Sequence, residues 1–102
     1  MKIKLTRDLS FDCVKQTVWV NGTEHKLTIK ETELLNLLVI NKNRLTKRKD
    51  TLEEIWINDT RLTTGSMYVY ITKLRKILEP LANVRIVNVY RRGYRLIIDK
   101  SK

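Results

Sequence analysis

The sequence predicts an α+β fold: a small antiparallel sheet of three or four strands, then three helices, then a β-hairpin. Three observations carry this expectation. Apolar and polar residues alternate with a period of two in short runs over the first 28 residues. From residue 29 the apolar residues recur at helical spacing, and Pro80 closes the last such stretch. Two strand-like runs then flank Arg91-Arg92-Gly93.

The elements follow in chain order. Lys2–Leu5, Ser10–Cys13 and Thr17–Val20 alternate as half-buried strands, and His25–Leu27 reads as the returning partner across Asn21-Gly22. Both turn residues tolerate the positive φ of a type I′ hairpin. Trp19 is expected between this sheet and the helices, Cys13 is expected to pack within its strand, and His25 is expected to be exposed. Thr28-Ile29-Lys30-Glu31 has the spacing of a capping box, with Thr28 as cap and Glu31 reaching back. Leu34, Leu35, Leu37 and Leu38 follow, and this helix should end near Asn41–Asn43. A second helix is expected to open at Leu45-Thr46, with Thr46 as N-cap and Leu52, Ile55 and Trp56 facing the core. Ile57–Thr63 reads as a loop. The third helix spans about Thr64 to Glu79. Val84–Val89 and Tyr94–Ile98 are the hairpin strands.

Two places in this layout gather positive charge awkwardly. Lys47, Arg48 and Lys49 fall in the expected first turn of the second helix, where the dipole disfavours cations. They are either an exposed basic turn or part of a phosphate site. Arg91, Arg92 and Arg95 surround Gly93 at a tight hairpin tip, where like charges repel. The third helix adds a face of mixed chemistry. A helical wheel places Met67, Tyr70, Ile71, Leu74 and Leu78 on the buried side. Gly65, Val69, Thr72, Lys73 and Lys76 lie on the outer side, with Tyr68 and Arg75 along one shoulder. Such a face is either a solvated helix surface or a reader of duplex DNA: cations hold phosphates or guanine edges, Thr72 hydrogen-bonds, and Val69 packs on a thymine methyl. A helix in the major groove beside an arginine-tipped hairpin is the winged-helix arrangement, and the tip arginines suit a narrow minor groove.

Composition supports this reading and excludes others. The chain has 102 residues, 21 Lys+Arg against 11 Asp+Glu, and a formal net charge of +10. Residues 61–102 hold 10 basic side chains and only 2 acidic ones. A charge so polarised marks a partner that is a polyanion. The length fits one domain over residues 1–102, with the sheet in 1–28, three helices in 29–79 and the wing in 84–98. No apolar run approaches the roughly 20 residues of a membrane span, and no leader is evident. Cys13 is the only cysteine and His25 the only histidine, so neither a disulfide, a metal centre nor a catalytic set is expected. No cofactor and no enzymatic activity are expected.

Four segments, in order and at matching spacing, carry a family resemblance: Leu27–Leu38 (LTIKETELLNLL), Leu52–Trp56 (LEEIW), Ser66–Leu78 (SMYVYITKLRKIL) and Ile86–Leu96 (IVNVYRRGYRL). Together they resemble the C-terminal DNA-binding domain of OmpR/PhoB-type response regulators over about Phe11 to Leu96. The resemblance implies a winged helix-turn-helix with about four N-terminal strands. It also implies sequence-specific binding to double-stranded promoter DNA, often as two copies in tandem, in the bacterial cytoplasm. The DNA contacts it implies are Ser66, Val69, Tyr70, Thr72, Lys73 and Arg75 on the third helix, Trp56 on a phosphate, and Asn88, Tyr90 and Tyr94 in the wing; charge and position add Lys76 on the third helix, Lys47, Arg48 and Lys49 towards the DNA backbone, and Arg91 and Arg92 at the wing tip. Asn58, Asp59, Thr60 and Arg61 match a loop that contacts RNA polymerase. Tyr70 satisfies both the wheel and the family if its ring points inward and its hydroxyl outward.

The chain departs from the family at four positions. Gly65 replaces an arginine, Tyr68 an acid, Lys49 a glutamate and Arg91 a glycine, so base preference should shift and general attraction to DNA should grow. The family's N-terminal receiver is not expected within these 102 residues, which read either as the effector domain of a two-component response regulator or as a free-standing relative. Two other classes fit the charge: an RNA-binding winged helix using Tyr68 and Tyr90 for stacking, and a protein-interaction winged helix with an acidic partner.

Overall fold

The pleat of the N-terminal sheet decides which side chains reach the core. The computed structural model describes residues 1–55 and 64–99, with the side chains of the second block described from Met67 onward. Strands β1 (Ile3–Thr6), β2 (Leu9–Asp12), β3 (Thr17–Val20) and β4 (Thr23–Lys26) form an antiparallel sheet in that order. The register pairs Leu9 with Val20 and Phe11 with Val18, and all four are buried on one face. Asn21 and Gly22 join β3 to β4 with φ of 52° and 81°, as the hairpin signal requires. Because Val18 and Val20 point inward, Trp19 must point outward. It lies half-buried outside the core, with the Lys2 ammonium 4.2 Å from its ring centroid. The expectation that Trp19 fills the sheet–helix interface is thereby corrected.

Two smaller expectations in this sheet also change. The Asp12 carboxylate accepts the backbone N–H groups of Val14 and Lys15, both at 3.0 Å, which turns the chain out of β2. Cys13 is therefore an exposed turn residue, not a packed strand residue. His25 pairs with Val18 across the ladder and is half-buried.

Helix α1 (Ile29–Ile40) begins at the predicted capping box. Thr28 Oγ1 accepts the Glu31 N–H at 3.2 Å, and the Glu31 carboxylate accepts the Thr28 N–H at 2.8 Å. Leu34, Leu35, Leu38 and Val39 are its buried face. The chain then reverses through Asn43, whose φ is 63°. Its N–H donates to the Leu96 carbonyl and its side-chain oxygen accepts from the Ile98 N–H.

Thr46 is not the cap of the second helix. Leu45–Lys47 form a short strand, β5, and helix α2 runs from Arg48 to Ile55. The reason is tertiary: β5 adds to the edge of the C-terminal hairpin, with Leu45 opposite Arg95, Thr46 opposite Tyr94 and Lys47 opposite Gly93. A strand ladder outside the local sequence thus outcompetes a local cap. Thr46 is 2% exposed, and its hydroxyl has no hydrogen-bond partner among the described residues.

Helix α3 (Thr64–Leu78) buries Met67, Ile71, Leu74 and Leu78, as the wheel requires. Strands β6 (Val84–Val89) and β7 (Gly93–Ile98) form the wing, and the sheet order is β5-β7-β6. Val84, Ile86, Leu96 and Ile98 close the core from that side. Among the described residues no helix is long and apolar enough to cross a membrane.

Gly93 is the tighter of the two described glycines. Its φ is 155°, and a Cβ there would lie 2.1 Å from the Thr46 carbonyl oxygen and 2.8 Å from the Arg48 nitrogen, both backbone atoms. Gly93→Ala should therefore cost about 3 kcal/mol or more in urea unfolding. Gly22→Ala meets no atom within 4 Å and suffers only its φ of 81°, so its cost should be about 1 kcal/mol.

Candidate nucleic-acid interface

The buried stripe of α3 leaves a ridge of side chains one to two positions removed from it. Tyr68 is 54% exposed and Val69 is 65% exposed, and Thr72, Lys73 and Lys76 continue the ridge as exposed residues. A groove on one flank, against β6, is lined by Thr72, Arg75, Lys76, Arg85 and Ile86. On the other flank the start of α1 forms a groove with Thr28, Ile29, Glu31, Val69, Tyr70 and Lys73. The ridge thus stands between α1 and the wing sheet. Tyr70 is half-buried against the core, in keeping with an inward ring.

Two cations of α3 are tied to the protein. Arg75 is half-buried, and its Nε donates to the Ile86 carbonyl of β6 at 2.9 Å. Lys73 donates to the Glu31 carboxylate at 2.8 Å. Neither tie is legible in the sequence, because each joins residues on different elements and leaves no local pattern. Lys76 is exposed at the end of the ridge.

A second basic group assembles where the wing turn meets the start of α2. Lys47, Arg48, Lys49, Leu52, Glu53, Arg91 and Arg92 line one open pocket. Lys47 belongs to β5, so only Arg48 and Lys49 occupy the first helical turn. The Arg48 N–H is already taken by the Arg92 carbonyl at 2.9 Å. The expected use of free N–H groups for a phosphate therefore loses one donor, and the side-chain cations carry the positive field instead. The Arg48 Nε is buried and has no hydrogen-bond partner among the described residues.

The wing tip is open. Asn88, Arg91 and Arg92 are exposed, Tyr90 is 77% exposed, and the Arg91 guanidinium lies 5.1 Å from the Tyr90 ring centroid. Arg91 holds φ at 61°, a left-handed conformation that favours glycine. Tyr94, expected as a wing contact, lies mostly in the core. It is 5% exposed, because β7 alternates Tyr94, Leu96 and Ile98 into the core and turns Arg95 outward. The side chain of Ser66, and the residues Trp56, Asn58, Asp59, Thr60 and Arg61, lie outside the described residues.

Glu31 is the buried charge of the site, at 3% exposure. Burial pushes its carboxyl up, but the Lys73 ammonium and the Thr28 cap together outweigh burial and hold it below its ordinary value of 4.5.

The chain matches the family described as "Transcriptional regulatory protein, C terminal" over residues 22–96. It is similar to the transcriptional regulatory protein RprY of Bacteroides fragilis, 43% identical over 93 residues, which covers 91% of this chain and 39% of that protein. The chain spans well under half the length of the curated relatives it matches. Among solved structures it is similar to the response regulator DrrB of Thermotoga maritima, an OmpR/PhoB homologue. That similarity has a TM-score of 0.77 and 26% identity, over 94% of this chain and 44% of DrrB. The DNA-binding domain of Klebsiella pneumoniae RstA, solved in complex with the RstA box, shares the fold at a TM-score of 0.76 and 24% identity, over 94% of this chain and 96% of that one.

The Glu31 carboxyl has a sign-determined consequence for stability. Its folded value lies below the unfolded one, so its contribution is complete above 4.5 and disappears as pH falls through the folded value. Urea unfolding from neutral pH to about pH 3 should therefore show a steeper acid loss for the wild type than for Glu31→Gln.

Proposed function

This chain belongs to the family of OmpR/PhoB-type transcriptional regulatory protein C-terminal domains, and from that premise we infer that it binds double-stranded promoter DNA sequence-specifically to regulate transcription. The observation that carries the reading is the exposed ridge of α3, where Val69 and Thr72 stand among Tyr68, Lys73 and Lys76 between the wing sheet and the start of α1. A ridge of this kind meets base edges with short mixed side chains while flanking cations meet phosphates. The pocket of Lys47, Arg48, Lys49, Arg91 and Arg92 supplies a second cluster of such cations. Tyr94 acts from within the core by holding the β7 backbone in register, and Arg75 acts at the seam between α3 and β6.

The same reading takes this chain as one DNA-binding effector domain of a non-enzymatic cytoplasmic regulator. It assigns Ser66 and Trp56 to DNA, and the loop with Asn58, Asp59, Thr60 and Arg61 to RNA polymerase. It places a second copy in tandem on the DNA. These roles rest on the family resemblance. Competition of structured RNA against duplex DNA separates the reading from an RNA-binding winged helix, for which the exposed Tyr68 and Tyr90 would be stacking platforms.

If three to five phosphates are neutralised, log K should fall with log[salt] at a slope of about −3 to −4.5, and a slope near zero overturns the reading. Lys47→Ala should weaken all duplexes alike, whereas Thr72→Ala or Val69→Ala should change which duplex is preferred in selection from random sequences. Arg91→Gly relieves the φ of 61°, so it should leave thermal stability unchanged or slightly higher. The same change should lower affinity and make the salt slope shallower by about 0.9.

A further inference from the structure

Glu31 stands at the junction of two elements and divides its carboxylate between them. One oxygen, Oε1, accepts the Thr28 N–H at the start of α1, and the other, Oε2, accepts the Lys73 ammonium of α3 at 2.8 Å. The Glu31 side chain is 4% exposed, while that of Lys73 is 54% exposed. The other cation lining this groove, Lys30, donates to the Ile55 carbonyl and pairs with Glu33 at 3.6 Å.

The asymmetry of exposure decides how Lys73 behaves. Its ammonium is reachable from solvent, but the carboxylate it neutralises is not. A DNA phosphate that drew Lys73 away would leave a buried anion unpaired, which is among the most costly arrangements a protein can hold. Lys73 also displaces no condensed cation from a duplex, because its charge is already balanced by the Glu31 carboxylate of the fold itself. Its remaining N–H donors stay available for hydrogen bonds in a fixed direction.

We propose that Glu31 is a specificity-determining positioning residue. It holds Lys73 as an oriented, charge-neutralised donor for a base edge and removes it from the set of cations that attract phosphate. This rests on the duplex-binding reading above. Lys73 then differs in kind from Lys76 and the wing arginines: it adds to discrimination between sequences and adds nothing to the salt dependence. The acid at the start of α1 suppresses the sequence-independent part of binding, although it lies on neither the recognition helix nor the wing.

The test compares wild type, Glu31→Gln and Lys73→Met on a selected duplex and on an unrelated duplex over a range of salt. Glu31→Gln is preferred to a full truncation because its amide oxygen can still accept the Thr28 N–H. Glu31→Gln should make the salt slope on the unrelated duplex steeper by about 0.9, one phosphate equivalent, and tighten that binding. Its preference for the selected duplex should fall roughly ten-fold. Lys73→Met should keep the wild-type slope while losing preference. An unchanged slope in Glu31→Gln overturns the proposal, and so does a slope shallower by about 0.9 in Lys73→Met. If Lys73→Met does not fold, the slope of Glu31→Gln decides alone. If the wild type itself shows no salt-dependent duplex binding, the duplex-binding reading has failed instead. In that event a DNA-free arm, a rise of the Glu31 carboxyl pKa in Lys73→Met followed by NMR titration, still reports whether the pair exists.

Discussion

The close approach of Gly93 to the backbone of Thr46 and Arg48 is the constraint on which the basic surface depends. Only a residue without a side chain lets β7 lie this near to the strand-to-helix junction. With that contact made, β5 joins the wing sheet, the Arg92 carbonyl takes the first N–H of α2, and the turn carrying Arg91 and Arg92 is brought beside Lys47, Arg48 and Lys49. Like charges that would separate in a free hairpin are gathered because backbone bonds hold the elements carrying them. The electrostatic cost is met by the ladder and by the core beneath it, where Tyr94, Leu96 and Ile98 are buried.

The cations fall into two groups with different physics. Lys73 and Arg75 are each bonded to another element, one to α1 and one to β6, and so they brace α3 on both flanks. Lys47, Lys49, Lys76, Arg91 and Arg92 are exposed or half-exposed and contribute a field without a described internal partner of opposite charge. A braced helix presents its ridge in one orientation, so less conformational freedom remains to be lost on binding. Exposed cations supply attraction that salt screens.

What can be read from the sequence is what local chemistry determines. The Asn21-Gly22 turn, the Thr28–Glu31 capping box and the buried stripe of α3 each depend on residues within a few positions of one another, and each stands where the sequence places it. The failures share the opposite cause. Thr46 looks like a helix cap until β7 offers it a ladder. Trp19 looks like a core residue until the pleat assigns the inward face to Val18 and Val20. The burial of Tyr94 shows only when its strand alternation is counted from Leu96. Glu31 is legible as a cap but not as the partner of Lys73, since nothing in either local pattern refers to the other.

The Arg75 clasp also bears on how the molecule avoids sticking to itself. In the order β5-β7-β6, β6 is the outer strand, and an outer strand presents backbone groups that another chain can recruit. The Arg75 side chain occupies the Ile86 carbonyl on that strand and brings a permanent positive charge to it. A second copy approaching to extend the sheet would meet a missing acceptor and a repelling cation. A residue of α3 thereby guards the outer strand against edge-to-edge growth.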